Sequence, residues 1–504
     1  MNQSDYYNAS YIKDHKGKIG FIAAQGPGSK YRISDFWRMI WQEQVKLIVM
    51  LTDSNHPGNA KHTAAYWPEK IQTNATFGEI TVVGTESTSC VTHTVRKMKV
   101  LQNDDDKIHT VQLIQLHMWP FRGVPEDILD LIAVIKKVKA LQKGDNAGPL
   151  LVHCSNGIGA TGTFIAIYSL MDVLKEGETI GVFDLVNNMR KDRMDMVQTR
   201  IQYLFIYQTL QDAQLFPEDS SLSCSQLKNL SERILNKKAQ QEFKVLRKMD
   251  ENSRQTKGEV GRLATNAHKN ILKGIIPLDK YRATLKSGGL THGSSSDYIN
   301  ASIAENDGSR YFLMAQSPLP ATVEDFWRLV YDYQCRTVIM LDNANNIDKT
   351  FVQYWPDGRA VYASITVDLV TSMKFDTFTK RTFTVTHQDF KKSFSVEQLV
   401  YDGLEKKQDI DVNKLAKFII STQTDRSKTL VVHCINGVGL SAVYVAVRSL
   451  MDSIKNGDEC DVFLAVKKLR MRNPHAIQTQ DEYILCLQLL RSILNNQEDY
   501  AVVY

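Results

Sequence analysis

The chain has 504 residues, 43% hydrophobic and 23% charged, long and apolar enough for two or three domains with their own cores, which excludes a disordered or fibrous protein. With 61 Lys and Arg against 56 Asp and Glu, the net charge is only +5 and the basic residues are scattered, which excludes the basic blocks of a nucleic-acid binder. The seven cysteines (Cys90, Cys154, Cys224, Cys335, Cys434, Cys460 and Cys486) lie far apart without a CxxC spacing, which argues against a disulfide framework or a zinc site and for a reducing compartment.

No uninterrupted apolar window is long enough for a membrane span, and Met1-Asn-Gln-Ser-Asp5 lacks the charged and apolar regions of a signal peptide. The expectation is a soluble, cytoplasmic chain.

In chain order, Val45 to Leu51 and Val111 to His117 are short apolar or alternating runs that predict strands. Glu126 to Ala140 carries apolar residues at three- and four-residue intervals and predicts an amphipathic helix. Leu150 to His153 predicts a third strand, and Thr161 to Lys175 and Ile201 to Leu210 two further helices. Strands mixed with helices predict an α/β fold. From Pro217 to Gly261 the chain is rich in Ser, Lys, Glu, Gln and Arg with leucines at helical spacing, which reads as a linker and then the opening helices of another domain.

An internal repeat organises the rest. Asp5-Tyr-Tyr-Asn-Ala-Ser10 returns as Asp297-Tyr-Ile-Asn-Ala-Ser302, Asp35-Phe-Trp-Arg38 as Asp325-Phe-Trp-Arg328, and Tyr66-Trp-Pro68 as Tyr354-Trp-Pro356. Ser169-Leu-Met-Asp172 matches Ser449-Leu-Met-Asp452, and Val197-Gln-Thr199 matches Ile477-Gln-Thr479. The separation falls from 292 (Asp5 to Asp297) to 280 (Cys154 to Cys434), so the copies differ by loop lengths and not by order. Such a period is too long for a solenoid and predicts two duplicated domains: 1–216, a linker at 217–240, and 241–504. The second copy carries about fifty residues before its Asp-Tyr-Ile-Asn motif and the first only four, so the first domain is expected to be truncated at its N-terminus.

Each copy also carries one chemical motif. Leu150-Leu-Val-His-Cys154-Ser-Asn-Gly-Ile-Gly-Ala160-Thr161 and Leu430-Val-Val-His-Cys434-Ile-Asn-Gly-Val-Gly-Leu440-Ser441 each read as an apolar strand, a glycine-rich turn and an apolar helix. That arrangement points backbone N–H groups at an anion beside a thiolate. The plainer reading of either cysteine is a small buried hydrophobe.

His-Cys-x-x-Gly-x-Gly, Asn-Ala-Ser-Tyr-Ile, Ala-Ala-Gln-Gly-Pro, Asp-Phe-Trp-Arg, Tyr-Trp-Pro, Trp-Pro before Gly-Val-Pro, and Val-Gln-Thr, in this order, resemble the protein tyrosine phosphatase family. Two tandem copies look like the cytoplasmic part of a receptor-type member. The resemblance implies two cysteine-phosphatase-type domains, each a twisted mixed β-sheet flanked by helices. It places Cys154 and Cys434 at nucleophile positions, with Thr161 and Ser441 able to donate to the sulfur. Ser155, Asn156, Gly157, Ile158, Gly159, Ala160 and Thr161 fall in the substrate-binding loop, and Gln198 and Gln202 match the water-positioning glutamines. The second copy has Gln478 but Glu482. No metal or organic cofactor is implied; the partners implied are phosphotyrosine or signalling proteins, and the resemblance extends to a membrane-anchored receptor outside this stretch.

Several family positions are degenerate. The residue six after the cysteine, an arginine in the family, is Ala160 or Leu440. Loss of a bidentate charge-assisted pair costs about 3–6 kcal/mol. The general-acid aspartate after Trp119-Pro120 is Phe121, and the second copy has lost the Trp-Pro near Gly403-Leu-Glu-Lys406. A positioned acid contributes about 100- to 10,000-fold. Arg122 could in principle replace the missing cation from the mobile loop, against the plainer reading of a solvated arginine. His268 stands at the ring-stacking tyrosine of the second copy. Trp37, Tyr66, Trp67, Arg38 and their counterparts Trp327, Tyr354, Trp355 and Arg328 read as core filling. Three roles stay open: a pseudophosphatase scaffold or regulator, a slow phosphatase using Cys154, and a weak phosphotyrosine-binding or redox-responsive module.

Overall fold

The computed structural model describes residues 6–28, 30–52, 65–90, 92–103, 107–120, 123–142, 148–252, 258–286, 297–306, 311–342, 352–389, 391–404, 410–422, 429–455 and 459–496. They form two compact units, divided between Phe216 and Pro217.

In the first unit the elements are β1 (Ala9–Lys13), β2 (Ile19–Gln25), α1 (Lys30–Gln42), β3 (Leu47–Met50), β4 (Asn74–Phe77), β5 (Ile80–Ser89), β6 (His93–Gln102) and β7 (Ile108–Leu116). α2 (Ile128–Leu141), β8 (Leu150–Cys154), α3 (Gly159–Glu176), α4 (Val182–Asp192) and α5 (Arg200–Leu215) follow. The sheet order is β1-β2-β8-β3-β7-β6-β5-β4. β2, β8, β3 and β7 run parallel in the centre, with antiparallel neighbours at both sides.

Central parallel strands are buried on both faces, so they read as unbroken apolar runs. In β3, Leu47 and Val49 face the core built with α2, α3 and α5, while Ile48 and Met50 face the core that holds Trp37 and Tyr66. The strands and helices expected at β3, β7, β8, α2, α3 and α5 all form, within a few residues at their ends. β5 is missed by periodicity because its burial fades to full exposure along its second half.

The second unit opens with α6 (Cys224–Asn229) and α7 (Glu232–Asn252), so much of the stretch read as linker is helical. β9 (Arg282–Thr284), β10 (Tyr298–Asn306), β11 (Tyr311–Gln316), α8 (Val323–Asp332), β12 (Thr337–Met340), β13 (Arg359–Tyr362), β14 (Ile365–Lys374), β15 (Phe378–His387) and β16 (Lys392–Tyr401) come next. α9 (Val412–Ser421), β17 (Leu430–Cys434), α10 (Leu440–Lys455), α11 (Val462–Arg472) and α12 (Gln480–Asn495) complete it. Its sheet order, β13-β14-β15-β16-β12-β17-β11-β10-β9, repeats that of the first unit with β9 added at the edge. β17 again lies between two parallel partners.

The expected aromatics do pack in both units. Trp37 and Trp327 are buried and donate to the Tyr66 and Tyr354 carbonyls at 2.7 and 2.9 Å. Trp67, by contrast, is only half-buried, with Arg96 stacked 4.5 Å from its ring centre. Among the described residues no helix is long and apolar enough to cross a membrane.

Candidate functional site

A site forms where each central strand ends and the following helix begins. In the first unit β8 delivers Cys154 from a fully buried strand, and the chain turns through Ser155 to Ile158 into α3. Gly157 makes the turn at φ +70°, and a Cβ there would meet the Ala24 carbonyl oxygen at 2.3 Å. Only glycine fits such a close approach at positive φ. α3 has no side-chain cap at Ile158, so no capping side chain takes its first amides.

The loop satisfies part of its own amide cradle. Gly157 N–H donates to Cys154 Sγ at 3.2 Å, and Asn156 Oδ1 accepts the Ile158 N–H at 3.2 Å and the Cys154 thiol at 3.4 Å. Thr161 Oγ1, expected to donate to the sulfur, is instead buried without a hydrogen-bond partner.

Behind the loop stands Arg193, just past the C-terminus of α4. Its Nε donates to the Gly157 carbonyl at 2.8 Å and its Nη2 to the Asn156 carbonyl at 3.2 Å. Two further bonds run from Nη1 to Ser10 Oγ at 3.2 Å and from Nη2 to Asn8 Oδ1 at 2.8 Å. These bonds hold the guanidinium on backbone carbonyls, which orders the loop while spending the cation's donors inside the protein. Burial lowers its pKa, opposed by Cys154 and Tyr6.

His153 is fully buried and shares a 2.7 Å hydrogen bond between its Nε2 and the Tyr66 hydroxyl. Burial drives it down to about 3, so the ring is neutral near physiological pH. His433 repeats this, its Nε2 2.8 Å from the Tyr354 hydroxyl and its pKa also about 3 through burial.

The second loop has the same backbone with different electrostatics. Gly437 turns at φ +73°, and Asn436 Oδ1 accepts the Val438 and Gly439 N–H groups at 3.2 Å each as well as the Cys434 thiol at 3.4 Å. Ser441 Oγ lies 3.1 Å from Cys434 Sγ, the contact that Thr161 does not make. Asp342, at the end of β12, accepts the Ile435 N–H at 2.9 Å and the Ser317 hydroxyl, which also lies 2.8 Å from His433 Nδ1. Burial, then the Asp342 carboxylate, push the Cys434 thiol up, while Ser441 and the loop amides pull it down.

A second acid closes on the same loop. A Cβ on Gly439 would meet Glu482 Oε1 at 2.9 Å, whereas at Gly159 it would meet the Gln202 amide nitrogen at 2.9 Å. Burial raises Glu482, and burial raises Asp342 as well. The second loop is thus bordered by two carboxyl groups, and the repeat sets Thr52 and Gln202 at their positions in the first copy.

The other expected site residues divide as follows. Ala160 packs partly buried against the first core. Leu440 begins α10 with no polar side chain to offer. Gln202 is buried and its Oε1 is committed to the Gln198 and Thr199 amides, while Gln198 is exposed. His268 is exposed on a short turn that Asn266, Lys269 and Asn270 pin down, through Asn266 to the Val260 carbonyl and Lys269 to Asp325 at 2.7 Å. Trp119 is buried and ties its loop by donating to the Gly123 carbonyl at 3.1 Å. Phe121 and Arg122 lie outside the described residues. Sequence reasoning missed Arg193, Asp342 and Ser317. Asp342 had a visible signal, because the repeat sets it against Thr52.

A model of the protein-tyrosine phosphatase family matches residues 1–212 and 266–492. Receptor-type tyrosine-protein phosphatase epsilon of Mus musculus is 35% identical over 531 residues, with 99% of this chain and 73% of the relative covered. Receptor-type tyrosine-protein phosphatase alpha of Homo sapiens is 33% identical over 521 residues, with 99% and 63% covered. The solved catalytic domain of human protein tyrosine phosphatase non-receptor type 18 is 31% identical, covers 42% of this chain and 75% of its own, and superposes with a TM-score of 0.39.

Proposed function

The chain belongs to the protein-tyrosine phosphatase family, as a tandem relative of the receptor-type members, and from that premise we propose that it is a pseudophosphatase: a scaffold or regulator in phosphotyrosine signalling. In this reading Cys154 and Cys434 hold the nucleophile positions, and the loops from Ser155 to Thr161 and from Ile435 to Ser441 hold the place of the substrate's phosphate.

One observation carries the reading: several of the loop amides are spent internally, and the cation that a phosphate dianion would need is missing. Asn156 and Asn436 take loop amides, and Arg193 faces backbone carbonyls behind the first loop. The closing positions are Ala160 and Leu440, and neither side chain can donate. Without the bidentate cation, transition-state and ground-state grip both fall by about 3–6 kcal/mol. Phe121 removes the proton donor to the leaving tyrosine oxygen, a further factor of about 100 to 10,000. The second pocket adds Asp342 and Glu482, whose charges oppose a dianion and a thiolate alike.

The test is turnover of para-nitrophenyl phosphate and of phosphotyrosine peptides by the full chain and by Cys154→Ser. Equal, background rates support the reading. A robust rate that Cys154→Ser abolishes overturns it in favour of a working phosphatase.

A further inference from the structure

Away from both cysteine loops, the second unit brings together two thiols that are 236 residues apart in the chain: Cys224 Sγ and Cys460 Sγ lie 3.8 Å from one another. Cys224 begins α6 and is half-buried; Cys460 precedes α11 and is 2% exposed. We propose that this pair is a redox modification site, forming a reversible disulfide under peroxide that staples the segment before α7 to the segment before α11.

The backbone around the pair is already docked. Leu222 and Cys460 form an antiparallel bridge with both hydrogen bonds made, Leu222 N–H to the Cys460 carbonyl at 3.0 Å and Cys460 N–H to the Leu222 carbonyl at 2.8 Å. Ser220 Oγ donates to Asp461 Oδ2 at 2.8 Å, and Ser221 Oγ donates to Glu459 Oε2 at 2.5 Å. With both segments held, the sulfurs have about 1.8 Å left to close to reach the roughly 2.05 Å of a disulfide.

The chemistry balances with hydrogen peroxide as the oxidant. Cys224, the more accessible sulfur, gives up its proton and attacks one peroxide oxygen as its thiolate; the O–O bond breaks, a sulfenic acid remains, and the departing hydroxide takes up the released proton as one water. Cys460 Sγ then attacks Cys224 Sγ, the S–S bond forms, the S–O bond breaks, and the departing hydroxide takes the Cys460 proton as a second water. Two thiols and one peroxide become one disulfide and two waters. Burial, the facing Cys224 and the flanking Glu459 and Asp461 push the Cys460 thiol up, so the second step quickens as pH rises.

The full reduced chain is treated with hydrogen peroxide, alkylated, digested and mapped by mass spectrometry. The expected result is a linked Cys224–Cys460 peptide that disappears in Cys224→Ser and in Cys460→Ser, persists in Cys154→Ser and Cys434→Ser, and is undone by dithiothreitol. Oxidised wild-type chain should also melt several degrees higher than reduced chain, because the crosslink restrains the unfolded state across a long loop. Cys224 carried on to sulfinic acid with Cys460 still free, or Cys224 linked to any other cysteine, overturns the proposal. Both of these results are read on the wild-type chain and do not depend on a variant folding.

Discussion

Asp342 Oδ1 accepts the Ile435 N–H at 2.9 Å, so the first amide of the second cysteine loop is committed to a buried internal carboxyl group. The carboxyl also raises the neighbouring Cys434 thiol after burial has done so. Asp342→Asn keeps an acceptor for Ile435 and removes the charge. Peptide-resolved alkylation of Cys434 should then turn on at lower pH than in the parent; an unchanged pH profile would show that the carboxyl does not govern the thiol.

Arg193 contributes four hydrogen bonds to the first loop and to the strand-end residues Ser10 and Asn8. Arg193→Ala leaves those acceptors without a buried donor, and the cost is about 2–4 kcal/mol. Urea denaturation should show the first unit weakened by that amount. Arg193→Lys should recover only part of it, since an ammonium cannot reach acceptors placed for a planar fork.

Thr161 and Ser441 occupy matching positions with different outcomes: Ser441 Oγ meets Cys434 Sγ at 3.1 Å, while Thr161 Oγ1 is buried unpartnered. Thr161→Val keeps the shape and removes the unmet hydroxyl, so stability should be unchanged or rise by about 1 kcal/mol. Ser441→Ala should push the Cys434 thiol further up. A loss of stability in Thr161→Val, followed by thermal denaturation, would mean that the hydroxyl has a partner after all.

Glu242 lies under α12, its carboxyl 2.8 Å from Lys238 Nζ and accepting the Tyr483 hydroxyl at 2.9 Å. Burial raises it from 4.5 to about 7, against the pull of Lys238 and Tyr483. Between those values the folded chain binds more protons than the unfolded one, so this contribution is complete below about 4.5 and is lost as pH climbs to about 7. The swing is up to about 3 kcal/mol. Urea midpoints measured across that range should fall with pH in the parent, and Glu242→Gln should flatten the slope.

The local parts of this protein were legible in its sequence because they are written in neighbouring residues. β3, β8 and α3 follow from unbroken apolar runs and from the glycine turn at Gly157. What was not legible depends on distant contacts. Arg193 reaches Gly157 across 36 residues, and the internal repeat hides it because the second copy has Asn473, which donates instead to Ser302 at 3.2 Å. The helices of 224–252 were legible in leucines at helical spacing, of which Leu227, Leu235 and Leu246 are buried, but the polar composition obscured where they begin, well inside the stretch 217–240 read as linker. Cys224 and Cys460 read as isolated thiols in sequence, and the Leu222 to Cys460 bridge with its flanking serine contacts brings them together.

Restoring the missing guanidinium measures what its loss costs the first loop. Phosphotyrosine peptide is titrated by calorimetry into the parent chain and into Ala160→Arg. The parent should give no saturable heat at millimolar ligand, and the variant should gain roughly 140- to 20,000-fold in affinity, the equivalent of the lost 3–6 kcal/mol. Tight binding by the parent that Ala160→Arg leaves unimproved would contradict it.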